Sequence, residues 1–215
     1  MKLNLALIAL SGTLLSTNAL ANLVTITWAD NHSPSGGEFV LTPDTGAPFN
    51  SFCLERNEFI SLGGTYSYTV NNSAVAGGLA GGSPDPISIG TAYLYSQFRA
   101  GTLTGYTSAS SANQTALQEA FWWLEDEIPT GDYPFDPTLN PYLTLANDAL
   151  AGDLDALKAD ANGAYAVDDF GLGERRNEDS PRNTYRLRSR AIPRMAVIER
   201  CTDHLRSADA DRATS

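Results

Sequence analysis

Apolar and polar residues alternate along short stretches in the first third of the chain. Val24, Ile26 and Trp28 fall on one face of a strand, and the threonines between them fall on the other. Four short strands are predicted, separated by turn residues, at residues 23–28, 38–42, 51–55 and 66–70. A strand with one apolar face must bury that face, so the pattern predicts a shared core.

Between about residues 87 and 160 the apolar positions recur every three or four residues, which predicts helices. The strongest helix is predicted over residues 112–127, with a capping box at Ser111 and Gln114 and a stop at Pro129. Its apolar face consists of Leu117, Ala120, Phe121 and Leu124.

Two further helices flank this one. The first is predicted over residues 87–100, and the second begins at Asn140-Pro141, where the asparagine suits the cap and the proline suits the first turn. A last strand is predicted over residues 164–170. The sequence therefore predicts an α+β fold, with a β-sandwich-like or small β-sheet body and a helical insertion at about residues 87–160.

The N-terminus has the layout of a secretory signal peptide. Lys2 precedes a mostly apolar run that is too short to span a membrane, and Ala19-Leu20-Ala21 forms a small-x-small cleavage signal. Residues 1–21 are therefore predicted to be removed on export, to the periplasm, the cell surface or the extracellular space. No later run of apolar residues is long enough to predict a membrane span.

The formal charge of −11 is unevenly distributed. Residues 1–170 contain four basic and 18 acidic residues, whereas residues 171–215 contain ten arginines, no lysine and seven acidic residues. The acidic body disfavours binding to nucleic acid. The tail, residues 171–215, is consistent with a disordered terminus, a basic arm or the product of a frameshift in GC-rich DNA, with one helical stretch at residues 194–205.

Cys53 is the only cysteine of the predicted body, residues 22–170. In an exported protein a cysteine usually forms a disulfide, and Cys201 in the tail is the one partner that the chain offers. A buried inert thiol and an internal thioester are the two alternatives to a disulfide, whether that disulfide forms within the chain or with another chain. A thioester forms when a cysteine sulfur attacks a glutamine amide and ammonia leaves. Gln118 and Gln114 are the candidate partners, because both lie on the strongest predicted helix.

Three segments carry a resemblance to a known family: Phe52-Cys53-Leu54-Glu55, the helix Thr91-Ala92-Tyr93-Leu94-Tyr95-Ser96-Gln97-Phe98, and Leu117-Gln118-Glu119-Ala120-Phe121-Trp122-Trp123-Leu124-Glu125. Together they resemble exported bacterial PEP-CTERM proteins related to the thioester domain family of surface adhesins, over about residues 23–170. That family pairs a strand cysteine with the glutamine of a Thr-Gln-x-Ala-Ile-Trp motif, which favours Gln118 over Gln114. Leu117 and Phe121 depart from the motif, and the C-terminal sorting signal of PEP-CTERM proteins is absent.

The resemblance implies a single-use electrophile rather than an enzyme. Cys53 and Gln118 would form the thioester in a site lined by Trp122 and Phe52, and an amine on a target surface would then open it. The implied partners are an amine-bearing surface protein or an extracellular polysaccharide matrix, and no cofactor is implied. A non-covalent structural protein of the envelope or matrix, with the same fold and no thioester, is the alternative.

An acidic cluster follows the strongest helix, at Glu125, Asp126, Glu127, Asp132 and Asp136. Oxygen ligands of this kind hold calcium, but the spacing does not match an EF-hand loop, and a solvated helix end is the simpler interpretation. A glycosidase that uses Glu125 and Asp132 is also conceivable, although nothing in the sequence fixes their separation. We therefore predict no metal site and no catalytic residues.

Overall fold

The structure is a computed structural model that describes residues 22–33, 36–56, 60–71, 73–74, 84–128, 134–150, 152–175 and 195–200. Side chains are described for all of these residues except 166–175 and 195–200. The predicted signal peptide and most of the predicted tail lie outside the described residues.

Seven strands of the described ranges form one sheet, and their bounds follow the sequence pattern closely in the first half of the chain. They are β1 (Asn22–Trp28), β2 (Phe39–Pro43), β3 (Phe49–Ser51), β4 (Cys53–Glu55), β5 (Thr65–Asn71), β8 (Val167–Arg175) and β9 (Met195–Arg200). A separate antiparallel pair joins β6 (Ser73–Ala74) to β7 (Asp85–Pro86). In the large sheet the order is β3-β2-β1-β5-β8-β9-β4.

The two end strands of this sheet, β3 and β4, are consecutive in the chain and are separated only by Phe52. A sheet whose first and last strands are joined by one residue must roll until its ends meet. The predicted single strand at residues 51–55 is therefore two strands, which lie at opposite ends of the sheet order. β4 pairs with β9 in parallel, with Cys53 opposite Ile198 and Glu55 opposite Arg200.

In the part of the chain that the structure describes, three α-helices pack beside the sheet: α1 (Ile89–Ala100), α2 (Ser111–Leu124) and α3 (Pro141–Leu150). Ser88 caps α1, Ser110 caps α2, and the Asn140 side chain accepts hydrogen bonds from the first amides of α3. The cap of α2 thus lies one residue before the predicted capping box, and the helix ends three residues earlier than predicted. The chain then continues through short 3₁₀ turns at Pro137–Leu139, Asp155–Lys158 and Ala164–Ala166.

Two apolar clusters fill the domain. The first lies among the helices and includes Phe52, Tyr95, Phe121 and Leu143. The second lies against β1, β2 and β5 and includes Val24, Ile26, Phe39, Leu41 and Cys53. Phe52 lies in the first cluster and its neighbour Cys53 lies in the second, because successive side chains of an extended chain point to opposite faces. The α+β fold predicted from the sequence is confirmed.

The predicted tail differs from the structure at two stretches. Residues 171–175 continue β8, so the predicted domain boundary after residue 170 falls inside a strand. Residues 195–200 form β9 rather than part of the helix predicted over residues 194–205. β9 lies between β8 and β4 and pairs with both in parallel, so its conformation depends on tertiary pairing that the local sequence does not specify.

Candidate functional site

β4 carries Cys53 into the interior of the domain. Cys53 is fully buried in the second apolar cluster, and its sulfur is disulfide-bonded. The other cysteine of the chain, Cys201, comes directly after β9 and lies outside the described residues. Cys53 begins β4 and lies opposite Ile198, and β4 ends at Glu55, opposite Arg200, the last residue of β9. A disulfide was one of the three states that the sequence left open for Cys53.

Gln118 lies on α2 and reaches across to Cys53, 65 residues away in the chain. The Cys53 amide donates to Gln118 Oε1 at 3.1 Å, and Gln118 Nε2 donates to the Cys53 carbonyl oxygen at 2.8 Å. Both residues are fully buried. The side-chain amide therefore makes the pair of hydrogen bonds that a neighbouring strand would make along this edge of β4.

This geometry bears on the predicted thioester chemistry in two opposite ways. The bond from the Cys53 amide polarises the carbonyl of Gln118 and holds the side-chain amide against the main chain of Cys53. The sulfur, however, is committed to a disulfide, and only a thiolate can act as the nucleophile. The structure thus brings the predicted pair together with the sulfur blocked.

Trp122 and Phe52, the two predicted lining residues, have different surroundings. Trp122 is almost fully buried, and a side chain added at Gly36 would meet both its ring, at 2.9 Å, and the stem of Gln118, at 3.2 Å. Gly36 therefore packs directly against Trp122 and Gln118. Its φ of +105° is a backbone conformation that glycine adopts readily and other residues rarely adopt. Phe52 instead packs among the helices, with its ring against Phe98 and Phe121.

Gln114, the other candidate partner for a thioester, makes its hydrogen bonds away from Cys53. Its Oε1 accepts from the amide of Glu38, and its Nε2 donates to the carbonyl oxygens of Asp30 and Ser108. Glu38 is fully buried and in turn accepts hydrogen bonds from Tyr106 and Asn50. Gln114 thus belongs to a polar network that joins α2 to the β1–β2 connection, and it does not contact Cys53 in any described hydrogen bond.

Three buried carboxyl groups lie where α2 ends beside β4. Glu127 Oε2 accepts from the amide of Arg56, and Glu125 Oε1 accepts from the amide and hydroxyl of Ser88. Glu55 Oε2 is buried, and no described N–H or O–H group donates to it. Burial, followed by the negative charge of Glu127, raises the pKa of Glu55 to about 9. Burial also raises the pKa of Glu125 to about 7.

A proton shared between Glu55 and Glu127 accounts for this arrangement. Two adjacent buried carboxylates repel each other, whereas a carboxyl group that donates to a carboxylate satisfies both. This pair is not visible in the sequence, because its members lie 72 positions apart and Glu55 sits in an otherwise apolar segment. An acidic residue in a buried strand was the only available signal.

Three of the acidic residues considered for calcium bond to separate partners in the described part of the chain. Glu125, Asp126 and Glu127 bond respectively to Ser88, Lys158 and the amide of Arg56. Asp132 lies outside the described residues, so the glycosidase alternative is not tested. Within the described ranges, no group of three or more His, Cys, Asp or Glu side chains is arranged to hold a metal ion. None of the described helices is long and apolar enough to cross a membrane.

Comparison with known proteins gives no match to a family model, a curated protein or a solved structure. The resemblance to thioester domain adhesins therefore stays a prediction based on the three sequence segments that carry it.

Proposed function

We propose that this chain is an exported bacterial protein of the cell surface or extracellular matrix that binds its partners without a covalent bond. The observation that carries the proposal is the state of the Cys53–Gln118 pair. The Cys53 sulfur is used in a disulfide, and the Gln118 amide makes two hydrogen bonds to the Cys53 main chain. In this state the two hydrogen bonds hold α2 against β4, and the pair has no free nucleophile.

The disulfide also supports export. Disulfides form and persist in oxidising compartments such as the periplasm and the extracellular space, and they are rare in the cytosol. β1 begins at Asn22, so cleavage after the Ala19-Leu20-Ala21 signal would leave the first strand whole. The acidic body suits a solvent-facing protein that does not associate with nucleic acid.

The export proposal predicts a defined N-terminus. When the full chain is expressed in a Gram-negative host, we expect the mature protein to begin at Asn22, because signal peptidase recognises the small residues Ala19 and Ala21. N-terminal sequencing of the periplasmic fraction checks this. Periplasmic protein that retains Met1 would contradict the proposal.

A covalent adhesin is the second candidate function, and one specific observation favours it. Gln118 is the glutamine whose amide contacts Cys53, as the resemblance to thioester domains requires. If a thiol reductant released the Cys53 sulfur, the thiolate could attack the amide carbon of Gln118 and expel ammonia. A lysine amine on a target would then attack the thioester and release the thiol, leaving the target joined to Gln118 through an amide bond.

Intact mass distinguishes the two functions. We expect the mature protein to weigh two hydrogens less than its sequence, as one disulfide requires, and to gain them after reduction. A thioester would instead lower the mass by one ammonia, and methylamine would then add covalently. Cys53→Ala serves as the control, since it abolishes either modification. A mass lower by one ammonia in the wild type would replace our proposal with the covalent adhesin.

A further inference from the structure

A tight β-turn at residues 161–164 precedes the last strands of the described chain. The Ala164 amide donates to the carbonyl oxygen of Ala161 at 2.8 Å, and the two residues between them, Asn162 and Gly163, have φ of 51° and 75°. A turn of type I′ needs a positive φ at both central positions, and Asn-Gly is the pair that it prefers. The fold therefore accounts for this pair, and it also places the pair at the surface.

This pair of residues has a reactivity of its own. In an Asn-Gly sequence the main-chain nitrogen of glycine attacks the side-chain carbonyl carbon of asparagine, because the two atoms lie at the spacing that closes a five-membered ring. Glycine hinders this attack least, since it has no side chain. Asparagine is thermolabile in proteins, and Asn162 is the one asparagine of the chain that precedes a glycine.

The surroundings of Asn162 leave the reacting atoms accessible. Asn162 and Gly163 are both exposed, and the amide of Gly163 makes no described hydrogen bond. A side chain added at Gly163 would meet no atom within 4 Å, so the space around the nucleophile is open. Among the described hydrogen bonds, the Asn162 side chain makes one, from Nδ2 to the carbonyl oxygen of Asp160 at 3.1 Å. Attack therefore requires only that an exposed turn opens briefly, as surface turns do.

We propose that Asn162 is a site of spontaneous deamidation and the asparagine of the mature chain that reacts first. Gly163 N gives up its proton to solvent and forms a bond to Cγ of Asn162. The Cγ–Nδ2 bond breaks, and Nδ2 takes up a proton and leaves as ammonia. Water then opens the resulting succinimide at either carbonyl carbon, which gives aspartate at position 162, or isoaspartate, in which the main chain continues through the side chain. The reaction needs water alone, and the inference does not rest on the proposed function.

Either product changes the turn and leaves its anchors in place. Each adds one negative charge and removes the hydrogen bond from Asn162 Nδ2. Isoaspartate also adds one carbon to the main chain inside the turn. The chain just before the turn is fixed to the start of α1, because the Ile89 amide donates to Ala159 at 2.7 Å and the Ala161 amide donates to Ile87 at 2.8 Å. We therefore expect the modified protein to stay folded.

Peptide mapping of the mature, disulfide-bonded protein tests the proposal. The protein is kept at mildly alkaline pH, where the Gly163 amide loses its proton more readily, and samples are digested with trypsin over time. Cleavage after Lys158 and Arg175 gives a peptide of residues 159–175, in which Asn162 is the sole asparagine. We expect this peptide to gain about 1 Da, the difference between an amide and a carboxyl group, before any other asparagine reacts. Ion exchange of the intact protein should show one added negative charge.

Asn31 is the matched control within the same chain. It is exposed and has a φ of 57°, but it precedes His32, whose ring stacks on Trp28 with centroids 4.5 Å apart. A side chain held in this way hinders the attacking nitrogen, so Asn31 should react at least about tenfold more slowly than Asn162, the scale on which small displacements of reacting atoms act. Gly163→Ala should slow Asn162 to a similar degree, because its methyl group fits the open space and adds hindrance at the nucleophile.

Three outcomes overturn the proposal. Asn31 or another asparagine reacts before Asn162, or Gly163→Ala reacts as fast as the wild type, or Asn162 is unchanged in the folded protein once a synthetic peptide of residues 159–175 has fully reacted. The succinimide also lowers the mass by one ammonia, as a thioester would. Cys53→Ala separates the two, because it abolishes a thioester and leaves the succinimide in residues 159–175. Absence of deamidation would leave the Cys53 disulfide and the proposed function unaffected.

Discussion

Replacing Gln118 by leucine should lower the free energy of unfolding by about 2–6 kcal/mol. Leucine keeps most of the side-chain volume and removes the amide, so the buried amide and carbonyl groups of Cys53 both lose the partner that the structure gives them. Leaving a buried polar group unsatisfied costs about 1–3 kcal/mol, and two groups are affected. Urea denaturation followed by tryptophan fluorescence measures the change.

Gln97→Leu is the matched control for this loss. Gln97 is half-buried on α1, and among the described residues its amide oxygen accepts from the exposed hydroxyl of Thr102 alone. Substitutions at such positions usually change stability by less than about 0.5 kcal/mol. Equal effects of the two leucine substitutions would show that the Gln118 amide does not hold α2 to β4. They would contradict the structural role proposed above for this amide.

Replacing Glu55 by glutamine should stabilise the protein, most of all at alkaline pH. The folded-state pKa of Glu55 is raised from 4.5 to about 9 by burial and by the charge of Glu127. A carboxyl group with a raised pKa contributes stability that is fully present below about pH 4.5 and is lost as the pH rises toward 9. Glutamine is neutral at every pH, and its amide can donate to Glu127 without a proton from solvent.

The pH profile of stability checks this prediction. For the wild type, the free energy of unfolding should fall across this window by up to about 1.4 kcal/mol per pH unit, the limit for one proton. The urea midpoints near pH 5, 7 and 9 should decline less steeply with pH for Glu55→Gln than for the wild type. The decline that remains is due to Glu125, whose pKa is raised to about 7. Asp148→Asn should retain the wild-type slope, and an equally steep slope in Glu55→Gln would contradict the shared proton.

The alternating segments predicted strands well, because successive side chains of a strand point to opposite faces and the alternation of apolar and polar residues therefore depends only on neighbouring positions. β1, β2 and β5 lie within two residues of the predicted bounds. The break at Phe52 was not predictable, because it marks where the sheet closes on itself. β9 was not predictable for a related reason. Its sequence is compatible with a helix, and its pairing with β4 and β8 depends on residues far away in the chain.

The candidate site was predictable only as far as its two main residues. A resemblance in short segments favoured Gln118 over Gln114, and the structure places Gln118 against Cys53. Sequence reasoning could not indicate that the amide meets the main chain while the sulfur enters a disulfide. Which atoms of two residues meet depends on the rotation of α2 over β4. That rotation is set by packing across the whole helical cluster.

The ends of the rolled sheet have a consequence for how the protein can associate. At one end, Tyr95 and Arg99 of α1 donate to the carbonyl oxygen of Asn50 in β3. At the other end, Gln118 of α2 occupies the main-chain groups of Cys53 in β4. Helix side chains thus take up hydrogen-bonding positions that an incoming strand would need. Association of copies through these edges is therefore disfavoured even at high concentration, and any association must proceed through side chains and loops.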